Sequence, residues 1–195
     1  SNIPVGSGLS SSAALECGFL FGIKELFDLD IKPVDIALMG QSAEHWVGIN
    51  CGIMDQFSSV MGKEDKVIKI DCRTLEYEYH DANFSDYSLI LFDSNVKHSL
   101  MTSAYNERRQ QCEEGIATIM KNYPKINSFR DCTENQVMSL KDKMSKEVYK
   151  RSLFAVQEIK RVILACEALD KGDIVALGKL MFETHEGLSV DHEVS

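Results

Sequence analysis

Long apolar runs are missing from these 195 residues. None approaches the ~20 residues of a membrane-spanning helix, and nothing at the start reads as a leader, so a cytoplasmic protein without a membrane partner is expected. Basic residues are scarce: 21 Lys and Arg face 30 Asp and Glu, a net charge of −9. That balance argues against nucleic acid as a partner. The six cysteines (17, 51, 72, 112, 132 and 166) lie 20 to 40 residues apart, with no CxxC and no Cys/His pairing. Neither a zinc site nor a disulfide framework follows from that spacing, and the cysteines read as reduced core thiols. The chain has no internal repeat, no low-complexity tract, no GxxxxGK[ST] loop and no acidic residue placed for a Rossmann ribose contact. Glycine is sparse after residue 62: eight of twelve fall within the first 62 residues, and the next is Gly115. Backbone that must take unusual φ or approach a ligand is therefore concentrated at the N-terminal end.

What is present there is Pro4-Val5-Gly6-Ser7-Gly8-Leu9-Ser10-Ser11-Ser12-Ala13-Ala14. Gly6 and Gly8 can take positive φ, and Ser10, Ser11 and Ser12 sit where a helix begins. Successive N–H groups and the positive end of the dipole can then converge on one anion. The hydroxyls add donors for phosphate oxygens or a ligand for magnesium. A Gly/Ser turn that only caps a helix is the plain alternative. Residues 10–27 are apolar nearly all round (Leu15, Phe19, Leu20, Ile23, Leu26, Phe27), which predicts a buried helix.

Pro33 opens a second helix that runs to about Gly48, with Ala37, Gln41, Glu44 and Gly48 on one face. Glu44 there is either a solvated helix glutamate or a buried carboxylate in need of a partner or a metal. Asn50-Cys51-Gly52-Ile53-Met54-Asp55-Gln56-Phe57 leads into a third helix with Asp55 in its first turn. Asp55 could simply complement the dipole. Across the turn at Gly48–Gly52, however, Glu44 and Asp55 can face one pocket. Phosphoryl transfer uses such a pair, one to hold magnesium and one to accept or polarise a hydroxyl proton.

The N-terminal string resembles the phosphate loop of the GHMP small-molecule kinases, P-x-x-x-G-L-[SG]-S-S-A. Within that superfamily, Gln41-x-x-Glu44, Cys51 to Phe57, Asp93 to Leu100 and Ser103-x-Tyr105-Asn106-x-Arg108-Arg109-x-x-Cys112-Glu113 are similar to the galactokinase family, in collinear order. The resemblance implies ATP and Mg2+ as cofactors, galactose as substrate and phosphorylation of its C1 hydroxyl. It implies Asp55 as catalytic base or anchor, and Gly6, Ser7, Gly8, Leu9, Ser10, Ser11 and Ser12 around the phosphates. Gly52, Asp55 and Tyr105 would contact the sugar, and Ser11 and Glu44 the metal. N-acetylgalactosamine as acceptor and a non-catalytic sugar sensor stay open, although the intact serine loop favours a catalyst. The family's arginine, its Glu-His-x-Asp sugar motif and its second glycine-rich motif have no counterpart in this sequence. The chain thus reads as the middle of a galactokinase, expected to be inactive alone and to associate through incomplete sheet edges.

Beyond the loop region, strands are predicted at Val67–Ile70 and Tyr77–Tyr79 around an Asp71–Thr74 turn. A central-type strand is predicted at Ser88–Asp93, and a helix carrying Tyr105, Arg109, Cys112, Ile116 and Ile119 on one face. On that face Tyr105 could equally be core packing, and Arg108 and Arg109 read as ion-pair formers. A helix from about Glu147 to Asp170 ends at Lys171-Gly172, and Asp173 caps another to about Glu186 whose His185 gets no catalytic role. The fold class expected is α+β in the two-part GHMP arrangement. An N-terminal ribosomal-protein-S5-domain-2-like portion (1–85) precedes a helix-rich, ferredoxin-like portion (86–195), both incomplete, with the active site between them.

Overall fold

The computed structural model describes residues 2, 3, 9–82, 84–88, 90 and 101–194, with 101–104 as backbone only. The chain divides into two compact units, Ser1–Thr102 and Ser103–Ser195. It is a helix-rich α+β fold, as expected.

In the first unit, α1 (Ser11–Leu26), α2 (Pro33–Trp46) and α3 (Met54–Met61) pack on one another. The antiparallel hairpin β1 (Lys66–Ile70) and β2 (Tyr77–Asp81) follows them. Pro33 occupies the first turn of α2, where a missing N–H costs nothing. Gly48, at φ +89°, ends that helix: its N–H reaches the carbonyl of His45, and the N–H of Ile49 reaches that of Glu44. Such a left-handed glycine stop fixes where Glu44 and the following turn lie. Ala37, Ile53 and Phe57 form the core, with Val34, Val60, Met61, Ile68, Ile70 and Leu75 packed around them. The ring of Tyr77 meets Phe57 edge-on at 5.3 Å, and the Tyr79 hydroxyl donates to the Met61 carbonyl at 2.7 Å. Lys66 faces Asp81 and Lys69 faces Glu78 across the hairpin, and both are ion-paired.

The burial expected for α1 is not found. Only Ala13 and Cys17 are buried, while Leu15, Phe19, Phe21, Leu26 and Phe27 are exposed. The helix meets α2 and α3, and the positions it buries are small side chains. The cysteines depart similarly from a core role: all are free thiols, but only Cys17 and Cys166 are buried, and Cys72 is exposed in the hairpin turn.

The second unit holds α4 (Met101–Asn122), a short α5 (Glu134–Met138), α6 (Lys146–Asp170) and α7 (Ile174–Val190). Its core is Ile119, Ile126, Val137, Leu140 and Val156, ringed by Ile116, Tyr123, Phe129, Tyr149 and Leu153. Gly172, at φ +66°, stops α6, and Asp173 starts α7 by accepting the Ala176 N–H at 2.9 Å. The two helices therefore turn back on each other within three residues. Helix α7 runs four residues past the expected end, because no glycine in left-handed conformation interrupts it at Gly187. Arg109 pairs with Glu113 one turn on, whereas Arg108 donates to the main-chain carbonyls of His192 and Glu193. Most of the strand expected at Ser88–Asp93, and the whole Asp93–Leu100 motif, lie outside the described residues.

Candidate active site

Three of the residues singled out by the sequence open α1. Ser10 is its N-cap in left-handed conformation (φ 53°), and Ser11 and Ser12 begin the helix. A non-glycine residue there costs about 1–2 kcal/mol, and such strain clusters at ligand sites. The Ser10 side chain makes no capping bond, and the first turn holds no acidic residue. The positive end of α1 is therefore neutralised by no carboxylate of its own. Leu9 is half exposed beside it. Gly6, Ser7 and Gly8 lie outside the described residues.

Glu44 lies in the last turn of α2 and is 95% buried, its exposure being 5%. Among the described residues no hydrogen bond or ion pair reaches its carboxylate. A second carboxylate, Glu16 of α1, approaches it. Burial, and then repulsion from Glu44, pushes the Glu16 carboxyl above the ordinary range. Its Oε2 is buried without a hydrogen-bond partner. Glu16 follows Ser12 by four residues, so the two lie one above the other on one helix face. Glu16, which Glu44 repels, thus lies one turn along α1 from its serine end.

The turn after α2 is held by two side chains of that helix. Gln41 Nε2 donates to the Cys51 carbonyl at 3.2 Å, and His45 Nε2 donates to the same oxygen at 3.0 Å. The two are four residues apart, so they reach the turn as a pair. From α3, Gln56 Nε2 donates to Cys51 Sγ at 3.9 Å. Burial raises the Cys51 thiol's pKa, with Glu44 and, more weakly, Asp55 adding to it. Cys51 therefore sits in the field of both carboxylates. Asp55 is half-buried in the first turn of α3 and has no hydrogen-bond partner among the described residues. Gly52 is exposed, with nothing within 4 Å of where a Cβ would stand. No described atom requires glycine there.

The structure thus brings Ser10, Ser11, Ser12, Glu44, Gly52 and Asp55 into one unit. Tyr105, partly exposed on α4, belongs to the other. Glu16, Gln41 and His45 escaped the sequence reading as functional groups. Glu16 had a signal: it is the one charged residue between Ser10 and Ile23, in a helix otherwise apolar or small. The donor set suits a hard divalent cation. Two carboxylates, one deeply buried, and nearby serine hydroxyls are all oxygen ligands, and α1, α2 and α3 together contain one Lys, one His and no Arg to balance them.

Residues 1–63 match the family described as GHMP kinases N terminal domain. That segment is similar to the N-terminal domain of the GHMP kinases. All of it aligns with the galactokinase of Thermotoga maritima at 43% identity, covering 53% of that protein. The galactokinase of Clostridium acetobutylicum is also 43% identical over the whole chain, with 50% of its own length covered. Among solved structures, Lactococcus lactis galactokinase complexed with galactose superposes with a TM-score of 0.84 at 29% identity, covering 99% of this chain and 50% of that one. The chain therefore spans about half the length of the relatives it matches. No helix among the described residues is long and apolar enough to cross a membrane.

Proposed function

We propose that the protein carrying this chain is a sugar kinase that transfers the terminal phosphoryl group of ATP to the C1 hydroxyl of galactose. The observation that supports this reading best is the similarity to galactokinases along all of the chain at 43% identity. In this reading Gly6, Ser7, Gly8, Leu9, Ser10, Ser11 and Ser12 surround the phosphates with N–H and O–H donors. Asp55 accepts or polarises the C1 proton, so that the sugar oxygen forms the new P–O bond while the bond to the bridging β,γ-oxygen breaks and ADP leaves. Gly52 and Tyr105 contact the sugar. Ser11 and Glu44 would hold Mg2+, which supplies charge neutralisation for the phosphates. The clamp of Gln41 and His45 on the Cys51 carbonyl keeps the turn before Asp55 in place. Such positioning matters because misplacement of about 1 Å can cost on the order of 10²-fold in rate.

The test is ATP-dependent phosphorylation by a polypeptide of the relatives' length carrying this chain, against galactose, N-acetylgalactosamine and no sugar. Turnover with galactose above the others is expected. Preference for N-acetylgalactosamine would change the acceptor, and galactose binding without turnover would make the protein a sensor.

A further inference from the structure

We infer that Glu16 is a second acidic group of the cation site built around Glu44, offering its buried oxygen to a divalent metal. The inference rests on the kinase reading only for the identity of the cation. The placement of Glu16 comes from packing. On α1, Ala13 and Cys17 are the buried pair, and Glu16 lies within the same strip of the helix. On α2, Gly40 and Glu44 are buried one turn apart. A Cβ on Gly40 would stand 3.1 Å from Cys17 Sγ, so the two helices touch backbone-close at that level. Glu16 and Glu44 flank this contact and lie near enough to repel each other.

Two carboxylates driven together in a helix contact are costly unless something positive lies between them. Among the described residues of α1 and α2 nothing serves that purpose. Of the two basic residues in α1 and α2, Lys24 pairs with Glu25 at 2.7 Å and His45 donates to the Cys51 carbonyl. Glu44 is 95% buried, and Glu16 Oε2 is buried without a hydrogen-bond partner. Close by, Gln56 is 1% exposed with its Oε1 also unpartnered, a third buried acceptor on the same three helices. A buried surplus of acceptors without donors is what a hard cation satisfies.

The experiment titrates Mn2+ alone into the protein at the relatives' length and follows the free-ion EPR signal, with melting curves in parallel. Glu16→Gln should weaken Mn2+ binding by about tenfold or more, and Glu44→Gln by at least as much. Glu16→Asp, which keeps the charge at shorter reach, should fall between Glu16→Gln and the parent. Without metal, Glu16→Gln should melt at or above the parent's temperature, since it removes an uncompensated charge. If Glu44→Gln weakens Mn2+ binding while Glu16→Gln leaves it within about twofold of the parent, Glu16 is only a core carboxylate and the inference falls while the kinase reading stands. If neither substitution changes Mn2+ binding, the metal assignment in that reading falls with it. A Glu16→Gln protein that does not fold would show that Glu16 has a structural partner, and would overturn the inference as well.

Discussion

Carboxylates in this chain fall into two kinds, and the difference lies in what each one faces. Glu78 and Asp81 on the hairpin are held below the ordinary range by hydrogen bonds from Lys69 and Lys66, the partners opposite them in the register. They are surface pairs of small energetic consequence. Glu16, Glu44 and Asp55 lack such partners among the described residues, and the unbalanced charge is gathered where α1 begins and α2 ends. Local stability does not explain that arrangement, and the proposed kinase reading accounts for it. For Asp55 the distinction can be measured. A carboxylate that acts on the C1 proton contributes mainly in the transition state, so Asp55→Asn should lower kcat by on the order of 10²-fold or more with KM for galactose little changed. An aspartate that only complements the α3 dipole would instead lose about 0.3–1 kcal/mol of stability and turn over normally. Steady-state kinetics beside a melting curve separates the two outcomes.

Among the elements, the C-terminal tail shows how strongly long-range contacts shape this fold. Arg108 of α4 donates to the carbonyls of His192 and Glu193, Arg151 of α6 pairs with Glu193 at 3.2 Å, and Lys150 lies 4.0 Å from Asp191. The His192 ring sits 5.5 Å from Phe154. Burial, then the charges of Arg151 and Arg108, lowers its pKa from the usual 6.5. The folded state therefore favours the neutral ring, and the stability it contributes is present above pH 6.5 and lost as pH falls from there toward the folded-state pKa. Urea midpoints taken from pH 7.5 down to 5 should fall more steeply for the parent than for His192→Gln, and equal slopes would contradict this. One helix turn earlier, Gly187 abuts Phe154: a Cβ there would stand 2.4 Å from Cε2 and 2.8 Å from Cδ2. Gly187→Ala should cost up to about 2 kcal/mol, since overpacking of about 1–3 is set against a propensity gain of about 1. In a Phe154→Leu background the sign should reverse, which a double-mutant cycle would show. These contacts were not legible in the sequence. The caps were, because Pro33, Gly48, Gly172 and Asp173 act on the backbone beside them. Ser10, Glu44 and Asp55 were legible too, as motif residues at local spacing. The clamp of Gln41 and His45, the approach of Glu16 to Glu44 and the tail contacts depend on chain segments meeting in space, which no local pattern encodes.

For the molecule as a whole, charge decides what these 195 residues can do by themselves. The net charge is −9, and the three helices of the candidate site carry Lys24 and His45 as their only basic residues. Lys24 pairs with Glu25 near the far end of α1, and His45 is engaged with the Cys51 carbonyl. Phosphoryl transfer concentrates negative charge on the moving group and on the leaving ADP, and a positive or N–H donor aimed there is worth about 3–4 kcal/mol each. The serine end of α1 supplies part of this through its unpaired N–H groups, but no side chain of α1, α2 or α3 adds a free positive charge to it. The chain also spans only about half of the galactokinases it resembles. The 195-residue polypeptide, its mass verified, should therefore show no ATP-dependent galactose phosphorylation above background, while a polypeptide of the relatives' length carrying the same residues should be active. Mixing the two should not raise the first, because the missing charge has to be aimed at a preorganised site. Robust turnover by the 195 residues alone would mean that the positive charge comes from within them, and the roles given to Asp55 and Glu44 would then have to be reassigned around that group.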